Sequence, residues 1–146
     1  MDVKFDGSEA DDAKVQEWAS LNSFAARLYG ASLQSWINLG IWELRAGLEE
    51  PAPSAANKDL HLTTACEWLT HAAKALHEEG KQGKELEAFE ARALKSGSLL
   101  EGQAGATPER WQFWKKRLGE LAPEASSTDL KARIDKVIEH MNSVEA

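Results

Sequence analysis

Thr107-Pro-Glu-Arg-Trp-Gln-Phe-Trp-Lys-Lys-Arg-Leu-Gly-Glu-Leu121 is the stretch whose reading decides the fold class. A threonine before a helix can accept a hydrogen bond from an orphan N–H of the first turn. A proline at the first helical position loses nothing there, because that N–H has no partner in the helix. From this start the 3.6-residue period puts Trp111, Trp114 and Leu118 on one face with Leu121 close by, and Pro123 ends the run. Trp114 is expected in the core. Trp111 is expected nearer the rim, since Arg110 precedes it and helix N-termini are usually the more exposed end.

The same period extends to either side. A first helix is expected after Ser8, with acidic residues at its positive end and a stripe of Val15, Trp18, Leu21, Ala25 and Leu28 up to Gly30. A second stripe runs Leu33, Trp36, Ile37, Ile41, Leu44, Leu48 and stops at Pro51-Ala-Pro53. A third, over about 57–79, carries Leu62, Ala65, Cys66, Leu69, Ala72, Ala73 and Leu76, a face small enough for close helix approach. A weaker helix spans about 84–95 and a last one Thr128 to Met141. No window alternates apolar and polar residues with the β-branched enrichment of a strand. The expectation is an all-α single domain, residues 1–146, of five or six helices, bundle-like or in an irregular orthogonal array. Residues 1–8 are read as a flexible acidic N-terminus.

Composition limits the function classes. The chain has 146 residues, 42% of them hydrophobic, and 17 Lys plus Arg against 24 Asp plus Glu for a net charge of −7. That is a folded, not a disordered, composition. A negative surface repels phosphate backbones, so no nucleic-acid partner is expected. The basic-aromatic run Arg110 to Arg117 does not change this, because helical geometry separates its tryptophans from Lys115 and Lys116. No segment reaches the ~20 apolar residues of a membrane span, and the lone Cys66 cannot form an internal disulfide, so a cytoplasmic protein with no membrane partner is expected. His61, Cys66, His71 and His77 lack the three- and four-residue spacings of a helical metal site. Glu67 with His71 has no second half, so no metal and no cofactor is expected. Neither Gly-x-Ser-x-Gly nor Ser-x-x-Lys is present, and Gly102-Gln-Ala-Gly105 lacks the Lys-Ser/Thr of a phosphate loop.

Six tryptophans are more than core filling needs, and polar residues run beside them. Asn22 lies four residues after Trp18, and Asn38, Trp42, Arg45 and Glu49 line one side of the second helix. Interhelical hydrogen bonds and a buried or rim salt bridge account for this arrangement. So does a polar handle in a Trp-lined pocket, and on that reading the ligand-binding candidates are Asn22, Trp42, Arg45, His71 and Trp111. His71, three residues after Trp68, would need a hydrogen-bond partner at the apolar border.

Three blocks carry a family resemblance: Trp18 to Leu48, Trp68 to Leu76, and Arg110 to Leu121, with Arg-Trp-Gln-Phe-Trp-Lys the most specific. Together they resemble a family of small helical proteins of ascomycete fungi, a domain of unknown function. The resemblance implies an all-helical fold and a fungal intracellular setting, and it carries no catalytic residue onto this chain. The expected function is a helical binding or interaction module, acting on a small apolar molecule or a protein partner, with a homodimer as one form. The alternative is a small cofactor-independent enzyme, an isomerase or cyclase of natural-product metabolism, working in a Trp-lined cavity.

Overall fold

The computed structural model describes residues 9–31, 37–51, 55–82, 86–100, 102, 104–125 and 127–145, without the side chains of 9–15 and 55–57. Residues 1–8, Leu33, Trp36, Ala52, Pro53 and Gly83, which the sequence reading used, lie outside them. Among the described residues seven α-helices follow one another: α1 (Glu9–Gly30), α2 (Ile37–Leu44), α3 (Ala55–His71), α4 (Ala73–Gln82), α5 (Ala88–Ala93), α6 (Pro108–Leu121) and α7 (Thr128–Glu145). A π turn, Arg45–Glu49, continues α2, and a 3-10 turn, Ala122–Glu124, follows α6. There is no strand among the described residues.

Among the described residues the all-helical expectation holds, but the helix count of five or six is corrected to seven. The difference arises at Ala72, where the stripe read as one helix bends and divides into α3 and α4. Apolar spacing carries through this bend from Leu69 to Ala73 and Leu76, so periodicity alone does not reveal it. The bend falls beside the end of α1, where a Cβ on Gly30 would stand 2.1 Å from the His71 carbonyl oxygen. The hydrogen-bond ladder runs on through it, from the Ala72 N–H to the Trp68 carbonyl at 2.8 Å and from the Leu76 N–H to the Ala72 carbonyl at 2.9 Å. Of the weak helix read over 84–95, residues 84 and 85 lie outside the described ones, and the helix there covers Ala88–Ala93.

α3 is the hub, packed by α1, α2, the π turn and α7. Its Leu60, Leu62, Thr64, Ala65, Cys66, Trp68 and Leu69 are all buried, which spreads burial around the circumference instead of along one stripe. The second layer is α6, which lies against α4, α7 and the π turn. Its start is as read: the Thr107 side-chain oxygen accepts from the Arg110 N–H at 3.0 Å, and Pro108 opens the helix. α7 closes the core with Ile134, Val137 and Met141.

Candidate functional site

Two buried constellations are built around tryptophan. The first centres on Trp68 of α3. Its indole N–H donates to Asn22 Oδ1 of α1 at 2.9 Å, and the Asn22 amide donates to the Trp18 carbonyl at 2.9 Å. The Tyr29 ring lies tilted against it at 6.2 Å between centroids. On its other side α2 must come close: a Cβ on Gly40 would meet the Trp68 ring at 2.8 Å. One neutral amide therefore links α1 to α3 across an otherwise apolar interface.

The second centres on Glu49 and Arg110, which are 0% and 1% exposed. The π turn delivers the carboxylate. With i to i+5 bonding, residue 49 lies over residue 44, so Leu48 and Glu49 both point inward. Glu49 Oε2 accepts from Arg110 Nε at 2.6 Å and from the Trp114 indole at 2.6 Å. Its Oε1 accepts from Arg110 Nη2 at 2.9 Å and from the Gly97 N–H at 2.9 Å. The rest of the guanidinium donates to backbone carbonyls: Nη1 to Leu94 at 2.6 Å and Gly105 at 3.0 Å, Nη2 to Lys95 at 2.9 Å. All five guanidinium N–H groups are engaged, and each carboxylate oxygen accepts twice. Paired and hydrogen-bonded in this way, the buried charges meet the condition for tolerating desolvation. A carboxylate with no free lone-pair direction cannot take a proton from a substrate, and a filled guanidinium cannot grip an external anion. What the pair does is hold the segment after α5 against the body of the protein. Trp42 and Arg45 act on the same segment, donating to Ala93 O at 2.8 Å and Lys95 O at 3.0 Å.

The five sequence-derived ligand candidates have different surroundings. Asn22 belongs to the Trp68 centre. Trp42 and Arg45 are brought to the same segment, at the Ala93 and Lys95 carbonyls. His71 faces Glu67, Nε2 to Oε2 at 3.3 Å, and the other oxygen of Glu67 accepts from Arg133 of α7 at 2.5 Å. Trp111 lies against the His77 ring at 4.8 Å and donates to Glu145, which Lys115 approaches at 2.6 Å. The Lys115 hydrogen bond, with the Trp111 indole assisting, holds the Glu145 carboxyl below its ordinary range. The rim expectation for Trp111 is corrected: it is 2% exposed, close to the 1% of Trp114, because His77 and the C-terminal end of α7 cover it.

Sequence reasoning missed the burial of Arg110, though a signal was there. Arg110, Trp114 and Leu118 recur at four-residue spacing, so the core row of α6 runs straight back to the arginine. Glu49 was in the right row beside Trp42 and Arg45, but nothing in the sequence announces a π turn. Three further groups are buried or nearly so. Thr64 Oγ1 lies 3.0 Å from Glu43 Oε2, with His61 Nδ1 at 3.8 Å from the same oxygen. The Tyr29 hydroxyl is buried with no hydrogen-bond partner among the described residues, and burial, with the charge of Glu79 adding to it, pushes its ionisation upward. Burial also pushes the Cys66 thiol up to about 12. No group of three or more His, Cys, Asp or Glu able to hold a metal occurs among the described residues, and no helix among them is long and apolar enough to cross a membrane.

Neither a curated protein nor a solved structure matches the chain. A family model does, over residues 3–118, which takes in both tryptophan centres and stops short of α7. The chain belongs to the family described as protein of unknown function, DUF3632.

Proposed function

We propose that this protein is a non-catalytic helical binding module that engages the apolar surface of a protein partner through the outer face of α1. The observation that carries the reading is the pair Leu21 and Phe24, one helical turn apart and 57% and 52% exposed. The opposite face of α1 is already occupied, with Ala19, Asn22, Ala25, Ala26 and Tyr29 buried. A helix apolar on both sides has a second surface to cover, and adjacent exposed aromatic and aliphatic side chains are what interface anchors are made of. The polar chemistry supports the same reading from inside, because the charged pair Glu49–Arg110 is wholly engaged in holding the fold. A cytoplasmic, fungal setting belongs to the proposal and rests on the sequence resemblance and on the lone buried cysteine.

The test is a Leu21→Glu, Phe24→Glu double variant compared with the parent chain, both used as bait in an extract of the native host, with proteins and small molecules scored by mass spectrometry. Surface changes of this kind leave stability within about ±0.5 kcal/mol, so the melting temperature should hold. The expected result is a protein retained by the parent and lost by the variant. A second copy of the chain as partner would appear as self-association that the variant abolishes. Equal retention by both chains overturns the α1 assignment. A small molecule retained by both favours the rival, a cofactor-independent isomerase or cyclase.

A further inference from the structure

We propose that Ala88–Leu100 is a strap that opens as a unit while the helices beneath it stay packed. Three observations carry this. First, α5 has no buried residue, and Phe89 is 65% exposed, so the segment contributes almost nothing to the core except Leu94. Second, its attachment is polar and made through main-chain atoms. The carbonyls of Ala93, Leu94 and Lys95 accept from Trp42, Arg110 and Arg45, the Gly97 N–H donates to the Glu49 carboxylate, and the Leu99 N–H donates to the Glu49 carbonyl at 2.8 Å. Water replaces such bonds on release, so their net worth, larger for those to Arg110, Arg45 and Glu49 than for the neutral ones, is well below their gross strength.

Third, the strap can leave without breaking the charge pair. The Nε–Oε2 and Nη2–Oε1 contacts of Arg110 with Glu49, and the Trp114 bond to the same carboxylate, involve no strap atom. Release therefore hydrates one side of an intact ion pair, and the costly event, a buried charge without its partner, does not occur. The fit of the closed strap is nonetheless tight. A Cβ on Gly97 would stand 2.5 Å from the Glu49 carbonyl oxygen and 2.8 Å from Glu49 Cβ, so only glycine lies there undisturbed.

Native-state hydrogen exchange on the unaltered chain in low guanidinium tests this. The amides of Gly97 and Leu99, both bonded to Glu49, should exchange through a shared opening about 100-fold more populated than the one that exposes Trp68 and Leu69 in α3, with a weaker denaturant dependence. In Gly97→Ala, which pries the strap while leaving every charge in place, the same amides should approach unprotected rates. The α3 amides should stay protected, and the fully buried Cys66 thiol should stay unreactive toward a labelling reagent. Strap and α3 amides exchanging together, at one rate and one denaturant dependence, would overturn the proposal. So would a Cys66 thiol in Gly97→Ala that labels as fast as the strap amides exchange.

Discussion

Trp68 and Trp114 are both buried to within 1% of full coverage, and both donate an indole N–H to a side chain on another element, yet the two partners differ in kind. Around Trp68 the acceptor is a neutral amide, and the neighbours are an aromatic ring, a glycine and small residues. Around Trp114 it is a carboxylate shared with an arginine and with backbone from a distant loop. The neutral centre joins two long helices whose apolar faces already meet, so its one hydrogen bond chiefly avoids an orphan donor. The charged centre fastens to α6 and the π turn a segment, that after α5, which has little apolar surface to offer, so polar bonds do the joining there.

The largest difference between the centres should appear on removing one partner. Arg110→Met leaves the Glu49 carboxylate buried without its cation and should cost about 3–5 kcal/mol, a large share of the 5–15 kcal/mol typical of a domain, measured by guanidinium unfolding. At the other centre Asn22→Leu orphans the Trp68 indole N–H and should cost about 1–3 kcal/mol on the same scale. Equal losses at the two sites would remove the distinction between them.

The smallest effect sharpens the neutral centre. Tyr29→Phe deletes a hydroxyl that has no partner among the described residues, so at neutral pH it should leave stability unchanged or raise it slightly. Its pH dependence follows from the raised ionisation of the phenol. The folded state keeps the phenol neutral above the ordinary value of 10.0, where the unfolded chain ionises, so the parent loses stability as pH climbs past that value. The phenylalanine variant should lose less. Cys66, raised from 9.0 to about 12, has the same sign and begins to destabilise at lower pH, so both chains should share a decline from about pH 9. Identical melting curves across pH 10–12 would contradict the Tyr29 contribution.

Much of the fold was legible in the sequence for a physical reason, since caps and 3.6-residue stripes are local. The Thr107-Pro108 start, the end of α1 at Gly30 and the core rows of α6 and α7 each follow from a few neighbouring side chains. The α1 stripe read through Leu21, however, is not the buried one: Leu21 is exposed, and Asn22, Ala26 and Tyr29 are buried with Ala25. The division at Ala72 leaves the apolar spacing unbroken from Leu69 to Leu76, so no local pattern encodes it. The neutral centre was half legible, since Asn22 interrupts an apolar stripe and a buried amide must find a partner, but the sequence does not say that Trp68 is that partner. The charged centre was least legible. It requires a π turn at 45–49 and a pairing across 61 residues, and an arginine next to a helix start reads as solvated until its row is followed down to Trp114 and Leu118.

The most direct measurement is the unfolding free energy of the double variant Glu49→Leu, Arg110→Met beside its two single variants. An ordinary buried ion pair can be exchanged for apolar side chains with little loss or even a gain. Here the pair also serves the Trp114 indole, the Gly97 N–H and the Gly105 carbonyl, which would lose these partners, while the carbonyls of Leu94 and Lys95 would keep only the Gly105 N–H and Arg45. The double variant should therefore remain at least about 2 kcal/mol less stable than the parent. A double variant as stable as the parent would contradict the claim that Glu49 and Arg110 are there to fasten that segment to the core.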